Sequence, residues 1–378
     1  MADYSRKTLR ERQTGYVPAD VVEGILPELP AKSLLRFKSV SKQFDSLITS
    51  SDFIDRHVSN QRTTKDPQFL LLSSNSSLTR KIVIFKRVLN SNELTINSNG
   101  ISTINDLPKD WYDISSSFDG IFCFSGFLNI IVYNLSTTEF RILPRSETLK
   151  LGNLTKRPTK KGRLYNPNQQ LGIGRDLVTK QYKIVKVFNP VDDRRQAREC
   201  EIFTLDPNPN ASWKVLGVVP YKIDTTATHV YVNGSMYWFT DKKFHGNENE
   251  VIVMFDLHME KFQAIPHPSC CSDPDKPRKT MQLGSLRDSL CLTERIDWKE
   301  VNIWIMITCK SNVVTWEKLH YLRLIMTIHH EILTFGIAKH KDGTVLVCGG
   351  DGGGFVATRF CPLVPLYGQR LPFRIKTP

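Results

Sequence analysis

Residues 16–57 read YVPADVVEGILPELPAKSLLRFKSVSKQFDSLITSSDFIDRH, and this stretch reveals how the chain is organised. Apolar residues from Val21 to Leu29 recur at the spacing of one face of a 3.6-residue helix. Pro18 precedes this helix and Pro30 starts the next, because a proline ring does not fit a helix interior. The apolar stripe continues from Leu34 to Ile48, which predicts two further short helices.

A helical unit of this size is too small to bury its own apolar stripe. Domains below about 40 residues usually need disulfides, metals or a partner to be stable. Two interpretations therefore stay open. The helices pack onto the domain behind them, or another protein covers the stripe, as when an amphipathic helix is recognised by an apolar groove.

The sequence after Asp66–Pro67 has the pattern of β structure, with short apolar runs separated by turn residues. Asn233–Gly234 lies between two such runs and predicts a two-residue hairpin, because a type I′ turn needs positive φ angles. Similar turns are predicted at Asp119–Gly120, Asn99–Gly100 and Asp342–Gly343. Buried strands are predicted at residues 82–85, 184–188, 251–255 and 303–307.

Two short motifs recur within this β-rich region. The motif around Tyr133, which ends at Pro144, matches the motif around Phe255 at an offset of 122 residues. The segment around Trp213 recurs around Trp316 at an offset of 103 residues. Two interleaved motifs at these distances indicate a unit of roughly 50 residues, which is typical of propeller blades. Residues 68–378 would hold about six such units, and a twisted β-sandwich is the structural alternative.

The net charge of +13 is concentrated in one short segment. Residues 141–163 hold eight Lys or Arg and one Glu, a net charge of +7. The larger of the two repeat offsets exceeds the smaller by about the length of this segment, so we interpret it as a solvated loop extruded from one unit. No helix-turn-helix, zinc finger or stacking-aromatic motif accompanies it, which disfavours nucleic-acid binding. The weak candidates for target binding or nuclear import are Lys156, Arg157, Lys160 and Lys161.

The sequence predicts no metal site, cofactor or catalytic constellation. None of the eight cysteines forms a C-x-x-C pair, and the nine histidines show no ligand spacing beside them. The chain has no apolar run long enough for a membrane span, and its polar first residues carry no secretory signal. We therefore expect a cytoplasmic or nuclear protein with free cysteines.

The helical segment resembles the F-box motif. That pattern runs through Leu-Pro, a short apolar helix, a second Leu-Pro, Lys-Ser-Leu-Leu-Arg-Phe and a Val-Ser-Lys-x-aromatic turn. In this chain the matching elements are Val17–Pro18, Val21–Leu26, Leu29–Pro30, Lys32–Phe37 and Val40–Phe44. Val17 replaces the usual Leu and Phe44 stands where Trp is commoner, and both substitutions keep an apolar group.

The β-rich body is similar to the F-box-associated interaction domains of plants. The similarity is carried by residues 120–124, 133–144, 172–174 with 182–185, 232–238, 255–266 and 283–292. The resemblance implies an α+β multidomain chain with a polar tail at 1–15, a three-helix F-box at 16–60, a linker at 61–67 and a propeller-like all-β domain at 68–378. The basic loop would be inserted at about 145–163.

By this resemblance the F-box would dock on a Skp-family adaptor and through it on a cullin. Apolar side chains would supply the contact area, prolines would set the helix starts, and Phe44 would anchor the third helix. The residues expected to contact the adaptor are Pro18, Ile25, Leu26, Leu29, Pro30, Leu34, Leu35, Phe37, Val40 and Phe44.

The predicted function is that of a substrate-recognition subunit of an SCF-type (Skp–cullin–F-box) ubiquitin ligase, which binds an unidentified target protein through its β domain. Such a receptor is not an enzyme itself. Two alternatives stay open: a propeller-type enzyme on which the helices merely pack, and a basic module that binds a phosphorylated ligand or nucleic acid.

Overall fold

The computed structural model describes residues 18–63, 69–72, 82–90, 93–97, 112–126, 129–134, 137, 139–146, 169–188, 198–206, 208, 210–224, 229–240, 251–268, 281–286, 288–295, 300–308, 314–323, 335–339 and 345–349. Residues 18–63 form a helical module, and the strands that follow form a β domain. The predicted tail at 1–15 and residues 64–67 of the predicted linker lie outside the described residues.

The helical module contains four α-helices, so the expectation of three was incomplete. They are α1 (Ala19–Ile25), α2 (Ala31–Lys38), α3 (Lys42–Thr49) and α4 (Ser51–Thr63), with a 3₁₀ turn at Leu26–Glu28 between the first two. Ser50 separates α3 from α4, because its extended backbone (ψ 146°) interrupts the helix and its Oγ accepts a hydrogen bond from Phe53 N at 3.3 Å. Helix α4 includes the first three residues of the predicted linker.

The described strands form six antiparallel sheets. Sheet 1 contains β1 (Phe69–Leu72), β2 (Ile82–Asn90) and β3 (Glu93–Asn97). Sheet 2 contains β4 (Tyr112–Phe118), β5 (Ile121–Gly126), β6 (Ile130–Asn134) and β7 (Glu139–Ile142). Sheet 3 contains β8 (Gln169–Arg175), β9 (Tyr182–Phe188), β10 (Glu199–Thr204) and β11 (Lys214–Val218). Sheet 4 contains β12 (Val230–Val232), β13 (Ser235–Phe239), β14 (Val251–Asp256) and β15 (Lys261–Pro266). Sheet 5 contains β16 (Met281–Leu286), β17 (Ser289–Arg295), β18 (Glu300–Thr308) and β19 (Val314–Arg323), and sheet 6 contains β20 (Phe335–Lys339) and β21 (Val345–Gly349).

Each sheet is a meander whose strands pair in chain order. The first strands β4, β8, β12 and β16 contact one another consecutively, so neighbouring sheets meet along their inner edges. Small four-stranded sheets joined in this way, as sheets 2 to 5 are, fit a propeller and not the two large sheets of a β-sandwich. The four predicted buried strands lie within β2, β9, β14 and β18.

Two predicted hairpin turns are confirmed. Asn233 and Gly234 have φ angles of 46° and 80°, and Asp119 and Gly120 have φ angles of 50° and 76°. Consecutive positive φ angles are the signature of the type I′ turn, in which glycine costs no strain. The turns predicted at Asn99–Gly100 and Asp342–Gly343 lie outside the described residues.

The sequence repeat corresponds to the last two strands of alternate sheets. Tyr133 of β6 pairs with Phe140 of β7, and Phe255 of β14 pairs with Phe262 of β15 in the same way. One copy of the motif lies in sheet 2 and the other in sheet 4, with sheet 3 between them. The offset of 122 residues between the copies therefore spans two units. Residues 145–163, which we interpreted as a loop extruded from one unit, lie in the sequence between the last strand of sheet 2 and the first strand of sheet 3.

The core of the β domain lies between the sheets. One apolar cluster joins sheets 2 and 3 and includes Val132, Ile184 and Phe203. A second joins sheets 3 and 4, and a third joins sheets 4 and 5. Because β9 is buried along both faces, it contributes even-numbered residues to the first cluster and odd-numbered residues to the second.

Candidate functional site

The helical module has an apolar core of its own. Leu26, Ala31, Leu34, Ile48 and Phe53 are buried together, and four partly buried apolar side chains pack around them. Burying a large apolar side chain contributes roughly 1.5–3 kcal/mol, so even this small cluster supplies a substantial part of the module's stability. The module therefore covers one side of its apolar stripe without a partner.

The helix starts within the module depend on capping and on proline. Pro18 and Pro30 each stand immediately before a helix, and their carbonyls accept hydrogen bonds from Val22 N and Leu34 N at 3.2 Å. Helix α3 begins differently, because Ser41 Oγ accepts a hydrogen bond from Phe44 N at 3.1 Å.

Four apolar side chains of the module stay exposed. Val21 and Ile25 lie one turn apart on α1 with 44% and 52% of their surface exposed. Phe37 ends the apolar run of α2 at 37% exposure, and Val40 in the α2–α3 turn is 65% exposed. We call Val21, Ile25, Phe37 and Val40 the exposed apolar set. They provide apolar area that the described part of the chain leaves uncovered.

The ten residues expected to contact the adaptor fall into three groups. Pro18, Ile25, Pro30, Phe37 and Val40 are exposed, and Leu29, Leu35 and Phe44 are half-buried. Leu26 and Leu34 are buried in the core of the module, so their assignment to a docking surface requires correction. Val21, which was not among the ten, lies four residues before Ile25 and could have been found from helical spacing.

A contact between the two parts of the chain was not anticipated from sequence. Arg175, the last residue of β8, forms an ion pair with Asp55 of α4. Its Nε also donates to the Lys180 carbonyl at 3.0 Å, and its guanidinium carbon lies 5.6 Å from the centre of the Tyr182 ring. These contacts hold the guanidinium group in position for Asp55.

The four basic residues proposed for target binding, Lys156, Arg157, Lys160 and Lys161, lie outside the described residues. The chain on both sides of the basic segment is described and is held by buried polar contacts. Lys186 Nζ donates to Ser146 Oγ at 2.7 Å where the chain leaves sheet 2. Gln169 Nε2 donates to Ser125 Oγ at 2.7 Å where it enters sheet 3. The two ends of the segment are therefore fixed to the body of the domain.

Lys186 belongs to a buried ion pair. Its Nζ lies 3.3 Å from Glu201 Oε2, and both side chains are almost completely buried. Burial lowers the pKa of Lys186, and the neighbouring Glu201 partly offsets this effect. The Lys186 ammonium also lies 4.4 Å from the centre of the Phe188 ring. The arrangement gives the buried Lys186 ammonium group partners at the point where the chain leaving sheet 2 contacts sheet 3.

A second charged cluster joins sheets 3 and 4. Lys183 Nζ lies 3.2 Å from Asp176 Oδ2 and 3.1 Å from Glu260 Oε1, and it donates to the Leu257 carbonyl at 2.6 Å. Burial alone would raise the pKa of Asp176, but hydrogen bonds from Thr179, Val178 and Lys183 lower it overall. The paired charges explain this cluster as a structural junction between sheets.

Comparison with known sequences supplies the family. Residues 69–355, more than half of the chain, match the F-box associated β-propeller domain. The chain belongs to the F-box associated β-propeller family. Among its relatives in Arabidopsis thaliana, F-box/LRR-repeat/kelch-repeat protein At1g09650 is 30% identical, with 82% of this chain and 78% of the relative covered.

Two further A. thaliana relatives of this F-box protein match it at similar identity. F-box protein At5g10340 is 29% identical over 85% of this chain and 73% of its own. F-box protein At2g34280 is 28% identical over 82% of each chain. The β-propeller domain of the Trilobed protease from Pyrococcus furiosus superposes with a TM-score of 0.29 at 13% identity, covering 77% of this chain and 71% of the other, and supports no inference at this level.

The described part of the F-box protein offers no group of three or more His, Cys, Asp or Glu side chains placed to hold a metal ion. Cys123 and Cys200 are free and buried, and burial raises the pKa of each thiol to about 12, so neither is a ready nucleophile. Among the described helices, none combines the length and the apolar character that a membrane-spanning segment needs.

Proposed function

We propose that this F-box protein is the substrate-recognition subunit of an SCF-type ubiquitin ligase. It binds a Skp-family adaptor, and through it a cullin, by its helical module, and it binds a target protein by its β domain. It carries out no bond chemistry itself. By holding the target near the ubiquitin-loaded conjugating enzyme, it raises the effective concentration of the acceptor lysines.

The observation that carries the adaptor assignment is the exposed apolar set. Val21, Ile25, Phe37 and Val40 lie on a module that already has its own buried core, so these side chains are not needed to fold it. Exposed large apolar side chains on a small module are suited to burial against a partner helix or groove.

Adaptor binding is tested by changing the exposed apolar set and the core separately. Ile25→Asp with Val40→Asp should abolish co-purification of the adaptor while the circular dichroism and the unfolding midpoint stay unchanged. Each buried interface anchor is worth about 2 kcal/mol, or roughly 30-fold in affinity. Ser59→Asp, at an exposed position of α4, is the matched control and should keep the adaptor.

Leu34→Ala separates folding from binding in the same experiment, since Leu34 lies in the core of the module. Leu34→Ala should lower the free energy of unfolding, and any loss of adaptor binding should result from unfolding of the module. Undiminished adaptor binding by the Ile25→Asp, Val40→Asp protein would overturn the assignment.

For the target, we propose that Lys156, Arg157, Lys160 and Lys161 attract an acidic or phosphorylated segment. The anchored ends of the segment, Ser146 and Gln169, support this, because they fix the points at which the basic segment leaves and rejoins the β domain. Capture of acidic phosphoserine peptides should fall as salt rises and should be lost when all four residues become Gln. A control with four exposed lysines changed elsewhere keeps capture: Lys32, Lys42, Lys222 and Lys261. Salt-insensitive capture would contradict the proposal.

The cytoplasmic or nuclear location stays a prediction.

A further inference from the structure

The described sheets of the β domain have two distinguishable ends. Because each sheet is a meander, the turns from first to second strand all lie at one end, which we call the turn end. Contacts between neighbouring sheets join these turns: Tyr182 OH donates to Asp119 Oδ2 at 3.0 Å, and Asn233 Nδ2 donates to the Asp288 carbonyl at 2.6 Å. Sheets 3 and 4 are joined at the same end, where Tyr231 OH donates to the Arg175 carbonyl at 2.6 Å. The turn ends of sheets 2, 3, 4 and 5 therefore face the same way.

The opposite end, which we call the connection end, carries the links between sheets. Ser146, where the chain leaves sheet 2, contacts Lys186 near the end of β9. Gln169, the first residue of β8, contacts Ser125 near the end of β5. The basic segment is therefore attached at the connection end.

Helix α4 reaches the turn end. Its partner Arg175 is the last residue of the seven-residue strand β8, which begins at Gln169 on the connection end. The backbone of Arg175 is held as well, because Tyr231 of sheet 4 donates its hydroxyl hydrogen to the Arg175 carbonyl at 2.6 Å. The site on the β domain that contacts α4 is therefore built from residues of sheets 3 and 4.

Helix α4 also has two separate buried faces. Phe53 packs in the core of the module, with His57 beside it, while Ile54 and Val58 form a different buried pair. At 100° per residue, Ile54, Asp55 and Val58 fall within about 100° of the helix circumference. The side of α4 that carries the ion pair is therefore distinct from the side that completes the module.

We infer that the Asp55–Arg175 ion pair orients the helical module at the turn end of the β domain, so that the connection end points away from the adaptor. One consequence of this orientation is that target proteins bind at the connection end, and this consequence rests on the proposed function. Asp55 is 36% exposed, so the pair adds little to the free energy of unfolding, and its effect is expected in orientation.

The orientation is tested by distances between spin labels in the full-length chain. One label replaces Lys32 on α2, and the second replaces either Val178 at the turn end or Val218 at the connection end; all three positions are exposed. Labels are introduced through a non-canonical amino acid, since the chain has eight cysteines. We expect the distance to Val178 to be the shorter, by up to about 20 Å for a strand of this length.

Asp55→Asn and Arg175→Gln should each broaden the distance distributions, and the exchange Asp55→Arg with Arg175→Asp should narrow them again. Asp52→Asn, at an exposed position one turn earlier on α4, is the control and should leave them narrow. Equal distances to the two ends, or narrow distributions in Asp55→Asn, would overturn the inference. Circular dichroism of both single variants verifies that the fold is kept.

Adaptor co-purification, measured on the same variants, separates this inference from the proposed function. The variants of Asp55 and Arg175 should keep the adaptor, since neither residue belongs to the exposed apolar set. If the wild-type chain does not co-purify with the adaptor, the proposed function is refuted and the measured orientation is unaffected. Broad distributions in the wild-type chain would refute the orientation alone.

Discussion

Trp213, just before the last strand of sheet 3, and Pro144, just after the last strand of sheet 2, are joined by a hydrogen bond in which the indole Nε1 donates to the proline carbonyl at 2.8 Å. Trp316 and Pro266 repeat this bond at 2.8 Å between sheets 5 and 4. The two sequence motifs that recur along the chain are thus donor and acceptor of one inter-sheet contact. Their interleaving follows from the fact that each bond needs one residue from each of two adjacent sheets.

Replacing the donor tests how much this contact contributes. Trp213→Phe keeps most of the apolar surface but removes the donor of the part-buried bond to the Pro144 carbonyl, so we expect a loss of about 1 kcal/mol in the free energy of unfolding. Trp316→Phe is the matched comparison, because its bond lies at an exposed position, and it should cost less. Urea denaturation of both proteins measures the difference; a larger loss in Trp316→Phe would contradict the argument.

The buried pair Lys186–Glu201 should be sensitive to removal of one partner. Lys186→Met leaves the Glu201 carboxylate buried beside an apolar chain, which we expect to cost about 3–5 kcal/mol. Adding Glu201→Gln should restore part of this loss. Lys214→Met removes a 66% exposed ammonium group 2.5 Å from Glu260 and should cost about 1 kcal/mol or less. Equal losses in Lys186→Met and Lys214→Met, measured by urea denaturation, would show that burial is not decisive.

Two glycines are expected to respond to alanine in opposite directions. Gly24 lies in α1 and an added Cβ would meet no atom within 4 Å, so Gly24→Ala should stabilise the protein by up to about 1 kcal/mol. At Gly174 the added Cβ would lie 2.5 Å from Tyr231 Cε2 and 2.9 Å from Leu257 Cδ1. Tyr231 is held by its bond to the Arg175 carbonyl, so Gly174→Ala should destabilise by about 1–3 kcal/mol. Thermal unfolding distinguishes the two signs.

His57 should make the stability dependent on pH. Its Nδ1 donates to the Pro27 carbonyl at 2.9 Å, and its buried Nε2 has no hydrogen-bond partner in the described part of the chain. Burial lowers the pKa of His57, only partly offset by the Pro27 bond and by Glu28. Below about pH 6.5 the unfolded chain takes up a proton that the folded chain resists, so stability falls as the pH falls, by at most about 1.4 kcal/mol per pH unit.

The pH effect is measured by comparing urea denaturation at pH 7.5 and pH 5.5 in the wild-type chain and in His57→Gln. The substitution lowers stability at both pH values, because the bond to Pro27 is weakened, but it should reduce the difference between them. An unchanged difference would assign the pH dependence to other groups.

Local patterns were most reliable where neighbouring residues alone define the structure. The Asn233–Gly234 hairpin needs only two residues with positive φ, and sequence predicted it correctly. Helix α4 was missed as a separate element, because its buried residues occur as two adjacent pairs, Phe53–Ile54 and His57–Val58, that serve two different faces. A single-face helical template does not describe such a helix.

The residues expected to contact the adaptor show a second limit. Helical spacing identifies Leu34 and Ile25 alike as members of an apolar stripe, yet Leu34 is buried and Ile25 is half exposed. Which side of a stripe is covered depends on where the other helices of the module lie, and a periodic pattern contains no such information.

The amino-acid sequence determined the division into a helical module and a repeating β domain, because hydrophobic periodicity, proline positions and turn residues act over a few neighbouring residues. It also located the basic segment and both halves of the inter-sheet contact. Only the tertiary structure decided that Leu26 and Leu34 belong to a core and that Asp55 meets Arg175. That ion pair joins residues 120 positions apart, and a contact made once over such a distance leaves no periodic trace in the chain.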